Sequence, residues 1–432
     1  VNLDKLKPYE AEMKKCFRCS LCKMVPLAVY QKAEFSNNCP INNYHQFHAW
    51  SGSGLQFMAL SLLHGRIPAD EKLAEIVFSC RSCGYCDVAC KYIMDAERHQ
   101  VNTALKETLA LAGLAPPELA QSCRSIRDRG TPFDSPAKPW DQGLSIKKAP
   151  RRKAKVLLWA GCSARHDPRQ AAAVRLFAQI LQRLKVDFAV LQDKESCCGL
   201  PAYWSGFADF FTEAAHKTGT ALERSGAKTV VCLCGACLGA MRSKYPAYGV
   251  KVDAEILHAT EFLDRVLARK RLNLQAPEPM RVTYHDPCYL GRQAEPYEEW
   301  NGAEKTAFGQ MTYTDPPKNL RYGTEGVFDA PRSLLHSIRG LQFKEMHRIR
   351  EYALCCGAGG GLTEAARPMA RQSALSRLEE AKDAGAQCLV TACPHCRSHL
   401  EASAREAGLD VRVADIMEIL AQALGVHNSA EG

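Results

Sequence analysis

The spacing of hydrophobic and polar positions changes part-way along the chain. In residues 1–112 apolar positions recur mostly at helical spacing, which predicts helices over Gly54 to His64 and Asp95 to Leu111. Residues 113–153 break that spacing. Pro116, Pro117, Pro132, Pro136, Pro139 and Pro150, several glycines and a closing basic run predict a linker with little regular structure. Beyond it, short apolar runs alternate with amphipathic stretches. Lys155 to Gly161 reads as a buried strand, Pro168 to Leu184 as a helix and Val186 to Leu191 as a strand. Phe207 to Arg224 reads as a helix and Lys228 to Leu233 as a strand.

The same order returns. Arg281 to Tyr284 is predicted as a strand, Arg332 to Arg339 as a helix and Leu341 to Met346 as a strand. Met369 to Ala384 follows as a helix and Gln387 to Thr391 as a strand. Two copies of one strand–helix order argue for an internal duplication, each copy a small sheet flanked by helices. The expected architecture is α+β and multidomain. A helical domain at 1–112 and the linker at 113–153 precede a first α/β repeat at 154–275 and a second at 276–432.

Composition adds one anomaly. Among 432 residues, 46% are hydrophobic and 24% charged, as in globular proteins, but 21 are cysteine. A chain of this length can bury a proper core without disulfides. No apolar run approaches the length of a membrane helix, and the first sixteen residues lack an apolar signal core. The expectation is a cytoplasmic protein that holds metal, reaching a membrane only through a partner. The formal charge of +9 is a weak sign of nucleic-acid binding, because metal-bound thiolates add negative charge outside that sum. No nucleic-acid partner is expected.

The cysteines fall into sets. Cys16, Cys19 and Cys22 form a CxxCxxC triplet with Cys39 later, and Cys80, Cys83 and Cys86 form a second triplet with Cys90. Two-residue gaps let one loop present three thiolates to one face of an iron–sulfur cube. In two-cluster ferredoxins the fourth cysteine of each run serves the other cluster. On that rule Cys16, Cys19, Cys22 and Cys90 hold one cubane [4Fe–4S] cluster, and Cys80, Cys83, Cys86 and Cys39 hold the other. Zinc would more usually use paired knuckles than triplets. Two cubanes in tandem point to electron transfer.

Ten further cysteines form two like sets. Cys162, Cys197, Cys198, Cys234 and Cys237 are the first, and Cys288, Cys355, Cys356, Cys393 and Cys396 the second. The gap from the lone cysteine to the pair is 66 residues in the second set against 34 in the first, an insertion of about 32 residues within 292–330. A turn eased by the glycine after each pair lets adjacent thiols converge. Five thiolates are one more than a cubane takes, which suggests a non-standard cluster.

These sets resemble the cysteine-rich CCG domains of the catalytic subunit of heterodisulfide reductase. The likeness is closest in His285-Asp286-Pro287-Cys288 through Arg292 and in Cys355 through Gly361. With the two-cluster ferredoxin-like block in front, the chain is similar to the membrane-type heterodisulfide reductase subunit and its relatives. Those relatives include subunits linked to sulfite reduction and to class II benzoyl-CoA reductases. The resemblance implies a noncubane [4Fe–4S] cluster on each five-cysteine set, which makes all ten of those cysteines catalytic residues. It implies an oxidoreductase within a multisubunit complex, passing electrons from two cubanes to two noncubane clusters that split a disulfide or related sulfur substrate. A disulfide takes two electrons, and two one-electron centres facing one S–S bond would supply the pair.

Implied partners are a flavoprotein, a ferredoxin-like subunit, a membrane cytochrome or a partner reductase, since the chain itself shows no flavin or nicotinamide fingerprint. The alternative is a pure electron-transfer subunit with no turnover of its own, feeding a benzoyl-CoA reductase or a flavin dehydrogenase. The iron–sulfur subunits of glycolate and lactate oxidases share the domain order by resemblance. In that reading the insertion is a docking element.

Cys123, Cys232 and Cys388 fit no set and read as small buried hydrophobes. His285 and His395 flank presumed ligands, where a turn or capping role competes with a hydrogen bond to a cluster sulfur. Arg165, His166 and Arg292 are candidates for an anionic substrate group or for solvated surface. Gly359 to Gly361 lack the Lys-Ser/Thr of a phosphate loop and read as room for the cluster.

Overall fold

The computed structural model describes residues 1–149, 154–270, 272–309, 311–360 and 367–426. Its organising feature is a pair of parallel sheets with one topology. The first contains β1 (Lys147–Lys148), β2 (Val156–Trp159), β3 (Phe188–Val190), β4 (Thr229–Cys232) and β5 (Glu255–His258), in the order β1-β3-β2-β4-β5. The second contains β6 (Leu274–His285), β9 (Ile338–Phe343), β10 (Cys388–Thr391) and β11 (Arg412–Asp415), in the order β11-β10-β6-β9. Setting aside β1, each repeat runs second–first–third–fourth across its sheet, with every pairing parallel. The duplication is thus visible in strand order as well as in cysteine order.

Parallel strands covered on both faces read as continuous apolar runs, and Val156–Trp159 and Cys388–Thr391 are of that kind. Helix Pro168–Arg183 starts where Asp167 accepts from the Arg169 N–H at 2.9 Å, with Pro168 at its first position. Its apolar face, with Val174, Phe177 and Leu181, meets Leu158, Val190 and Val231 of the first sheet. That core is continuous with Val282, Tyr284 and Val390 of the second sheet, so the two repeats share one interior.

The N-terminal block is helical and has its own core, including Leu55, Val77, Phe78 and Leu105 on helices Gly52–Leu63, Glu71–Ser79 and Arg98–Leu111. It lies against both repeats. Lys106 Nζ donates to the Trp204 carbonyl of the first repeat at 2.9 Å, and Asn38 Nδ2 donates to the Tyr352 carbonyl of the second at 2.8 Å.

Several expectations need correction. The stretch 113–153 is not a bare linker: it carries helix Pro117–Arg129 and the edge strand β1. Its first prolines precede and open that helix, and Gly130 ends it at φ +73°, so these residues bound regular structure rather than break it. In the second repeat the helix is Asp329–His336, and the strand after it is β9 at 338–343 rather than Leu341 to Met346. Ile338 at the head of β9 is buried and helical spacing could not exclude it. The fourth strand of each repeat, β5 and β11, was not anticipated. Within 292–330 lies an antiparallel hairpin, β7 (Ala303–Ala307) and β8 (Met311–Asp315).

Candidate iron–sulfur centres

Four of the eight N-terminal cysteines surround one small cavity. Cys16, Cys19, Cys22 and Cys90 line it together with Ser53 and Arg98. Arg98 Nε donates to Cys90 Sγ at 3.2 Å, and Cys22 Sγ lies 3.4 Å from Ser53 Oγ. Cys39 lies near both groups: burial pushes its thiol well up, and the nearby charges of Cys22, Cys83 and Cys80 add to that rise. Asn102 Nδ2 points at Cys86 Sγ from 4.0 Å. Cys90 thus lines the same cavity as the first triplet. Between the two groups lies Gly52, where a Cβ would stand 2.7 Å from Cys86 Cβ and 3.5 Å from Cys22 Cβ.

The ten remaining cysteines of interest lie in the segments that follow the C-terminal ends of the parallel strands, the side on which open α/β sheets place their ligands. Cys162 and Cys288 follow β2 and β6, the adjacent pairs follow β3 and β9, and Cys234 and Cys393 follow β4 and β10. In each pair the glycine that follows is left-handed, Gly199 at φ +81° and Gly357 at φ +95°. Its N–H turns back to the first thiol, Gly199 to Cys197 Sγ and Gly357 to Cys355 Sγ, both at 3.4 Å. Cys356 Sγ lies 3.2 Å from Cys396 Sγ.

The sets also touch each other. The Cys237 and Cys393 thiols donate to Cys234 and draw it down to about 5 against its burial. The Cys355 thiol likewise holds Cys83 of the N-terminal block down to about 5, with the Arg292 charge adding to the effect. Thiol contacts therefore run from the N-terminal block to the second set, and from the second set to the first.

Family profiles agree with that layout. A 4Fe-4S dicluster domain matches residues 12–93, and the cysteine-rich domain CCG matches twice, at 156–242 and 312–401. The chain thus carries a dicluster domain and two CCG domains, and it is similar to heterodisulfide reductase subunits. One subunit of the dihydromethanophenazine:CoB–CoM heterodisulfide reductase of Methanosarcina mazei is 29% identical over 428 residues, 96% of this chain and 95% of that protein. Its counterpart in Methanosarcina barkeri is 28% identical, covering 83% and 80%. The probable iron–sulfur-binding oxidoreductase FadF of Bacillus subtilis is 27% identical over 87% of this chain and 50% of its own length. A hypothetical protein from Helicobacter pylori has the same fold, with a TM-score of 0.53 at 13% identity over 99% of this chain and 78% of that one. The second CCG match begins past Cys288, where the insertion interrupts the repeat. As in these relatives, the role is that of an iron–sulfur electron-transfer subunit of oxidoreductase type, and [4Fe–4S] clusters belong to the dicluster domain.

The thiols of this CCG chain also suit clusters on chemical grounds. A cluster with its thiolates carries negative charge and needs donors around it. Arg81, within the second triplet, is 2% exposed, and among the described residues none of its three side-chain nitrogens has a hydrogen-bond partner. The thiols of Cys355, Cys80, Cys356 and Cys83 surround it. His285 Nε2 is likewise buried and unpartnered, and it lies with Cys356 and Cys396 in a group spanning 4.8 Å. Arg81 was missed in the sequence, although a charged residue inside a CxxC loop was there to be noticed.

Arg292 is buried rather than solvated, and its Nη2 has no hydrogen-bond partner among the described residues. It donates to the carbonyls of Cys83 at 2.7 Å, Glu351 at 3.1 Å and Ala353 at 2.7 Å, clamping the second triplet to the second repeat. His166 shares hydrogen bonds with Thr131 Oγ1 at 3.1 Å and Ser135 Oγ at 3.0 Å. Gly359 and Gly360 make room for the triplet loop rather than for the second set: a Cβ at either would stand 3.1–3.2 Å from Cys80 or Arg81 backbone. Gly361 lies outside the described residues. Cys123, Cys232 and Cys388 are buried, and burial pushes Cys123 and Cys388 up to about 12, as for inert thiols. Among the described residues no helix is long and apolar enough to cross a membrane.

A cavity of 460 Å³ opens where the repeats meet. Its wall includes Ser163, next to Cys162, Ala358, two residues past Cys356, and His395, between Cys393 and Cys396. Gln170 of the first repeat ties this wall together, donating to the Pro394 carbonyl at 3.2 Å and to Ser398 Oγ at 3.0 Å.

Proposed function

We propose that this chain is a redox subunit of heterodisulfide reductase type that splits a disulfide, or a related sulfur–sulfur bond, in the cavity between its repeats. In this reading Cys16, Cys19, Cys22 and Cys90 hold one cubane and Cys39, Cys80, Cys83 and Cys86 the other. Each five-cysteine set holds a noncubane [4Fe–4S] cluster. When bound, the clusters supply electrons one at a time, and the overall reaction takes one S–S bond, two electrons and two protons to two thiols. The observation that carries the reading is the 460 Å³ cavity, whose wall adjoins cysteines of both sets.

The chain's own residues position and enclose the substrate. Gln170 holds the first repeat to the Pro394–Ser398 wall, which fixes the cavity's width. Phe133 lines one side of the cavity. His395 faces the cavity, and its charge helps hold the Cys198 thiol down, behind the hydrogen bonds from Cys197 and Cys237. It is the residue placed to give a proton to a departing thiolate. The electron donor is a partner protein of the complex: a flavoprotein, a ferredoxin-like subunit or a membrane cytochrome.

Anaerobic purification with iron analysis and EPR tests the cluster content: about sixteen irons per chain are expected for four [4Fe–4S] clusters, and about eight would overturn the two-noncubane reading. Stopped-flow mixing of reduced protein with a thiol disulfide tests turnover, and reoxidation of the CCG signals is expected.

One observation favours a second reading, a pure electron-transfer subunit serving a partner reductase or flavin dehydrogenase. The β7–β8 hairpin carries Phe308, 95% exposed, and Met311, 65% exposed, an apolar tip suited to docking. Absence of reoxidation by any disulfide, with oxidation by an added electron acceptor intact, would decide for it.

A further inference from the structure

His285 is buried, with 0% exposure, at the C-terminal end of β6. Its Nδ1 accepts from Arg377 Nε–H at 3.0 Å. Arg377 is held in turn: its Nη1 donates to Glu380 Oε2 at 2.7 Å and to the Arg348 carbonyl at 2.8 Å. Arg348 binds the same carboxylate through Nε at 3.0 Å and Nη2 at 2.9 Å. An arginine is always charged and only donates. The Nδ1 lone pair is therefore occupied by a fixed donor, and a proton on Nδ1 would set two N–H groups head to head. The neutral ring must carry its proton on Nε2.

That nitrogen is buried with no hydrogen-bond partner among the described residues, and the ring lies in one group with the Cys356 and Cys396 thiols, within 4.8 Å. The Cys356 Sγ itself lies 3.2 Å from Cys396 Sγ. The group His285, Cys356 and Cys396 has the makeup of a three-ligand metal site. The tautomer rules that out, because a nitrogen bearing a proton has no lone pair for iron.

We propose that His285 is a positioning residue which, locked by Arg377, donates Nε2–H to the Cys356 thiolate of the second CCG set and makes that set's cluster easier to reduce. The inference rests on the reading that the second set holds a cluster. A hydrogen bond to a ligating thiolate offsets part of the negative charge gained on reduction and raises the potential. In the first repeat the residue three before Cys162 is Trp159, so the imidazole–guanidinium lock is absent there and the two sets are electronically unequal.

The test uses the full chain, purified anaerobically, with His285→Phe and His285→Gln. Pulsed EPR of the second-set signal is expected to show an exchangeable proton coupling, lost in D2O, with only weak nitrogen coupling. In His285→Phe iron content should stay unchanged while the second-set equilibrium shifts about tenfold toward the oxidised form, about 59 mV for a one-electron couple. The first-set signal should not move, and His285→Gln, which keeps an N–H, should recover part of the shift. Strong nitrogen coupling, loss of iron in both variants, or an unchanged midpoint would overturn the proposal. Iron near eight per wild-type chain, with no CCG-type signal, would instead overturn the cluster reading and the proposal with it.

Discussion

Arg81 puts a full positive charge where no acceptor among the described residues meets it. An unpaired buried guanidinium is strongly unfavourable, while the same group among metal-bound thiolates is compensated. The sign of its contribution should therefore depend on the clusters. In Arg81→Met the iron-loaded chain is expected to lose on the order of 3 kcal/mol, and the chelator-stripped chain to become no less stable or more stable. Denaturant midpoints of the two forms check this, and equal losses in both would refute it. At this scale the thiols were legible from spacing alone, because one loop can present three sulfurs to one face of a cube only with short gaps. The groups that tune them were not. Whether His285 caps a turn or faces a thiol depends on which nitrogen Arg377 occupies, and Arg377 lies 92 positions away. The burial of Arg292 was hidden for the same reason, since its carbonyl partners come from two distant loops.

At the scale of elements, the N-terminus of helix Gly52–Leu63 passes between the two N-terminal cysteine groups. Ser51 caps it, accepting from Gly54 N–H at 3.0 Å, and its dipole turns positive charge toward both groups. Gly52 permits the approach, because a methyl there would press on Cys86 Cβ at 2.7 Å. Gly52→Ala is expected to cost about 1–3 kcal/mol by overpacking and to lower the iron retained by the N-terminal block. Cubane EPR signals should fall while the CCG signals persist, and full retention of both cubane signals would count against this packing account. The central strands were legible because a buried parallel strand is an apolar run with a sharp end. The edge strands were not: β5 and β11 are four residues each and start exposed, so they carry little period of their own. Proline misled in the other direction, since its position at the start of a helix looks in sequence like interruption.

Across the whole molecule, the second triplet is held by both repeats at once. Tyr289 OH and Arg292 Nε donate to the carbonyls of Ser82 and Cys83 at 2.9 and 2.7 Å, and Lys106 joins Cys80 O and Ser82 Oγ to Trp204 O. The same junction buries His99, whose Nε2 lies 3.0 Å from the Ser82 carbonyl, and burial together with the Lys244 charge pushes it down to about 3. In the first repeat His258 is held between Thr260 Oγ1 at 2.8 Å and the Leu233 carbonyl at 3.2 Å, and burial pushes it down to about 4.

Unfolded, both histidines take up a proton below about 6.5, whereas folded they stay neutral until about 4 and 3. The unfolded chain thus binds more protons across that window, so stability rises with pH there and is lost as pH falls from about 6.5 toward 4. Each histidine contributes a slope of up to about 1.4 kcal/mol per pH unit. His258→Gln is expected to be less stable than the parent at pH 7.5, with the gap closing as pH falls toward 5. Anaerobic denaturant midpoints at both pH values measure that difference. A gap that stays constant with pH would show that His258 titrates normally in the folded chain.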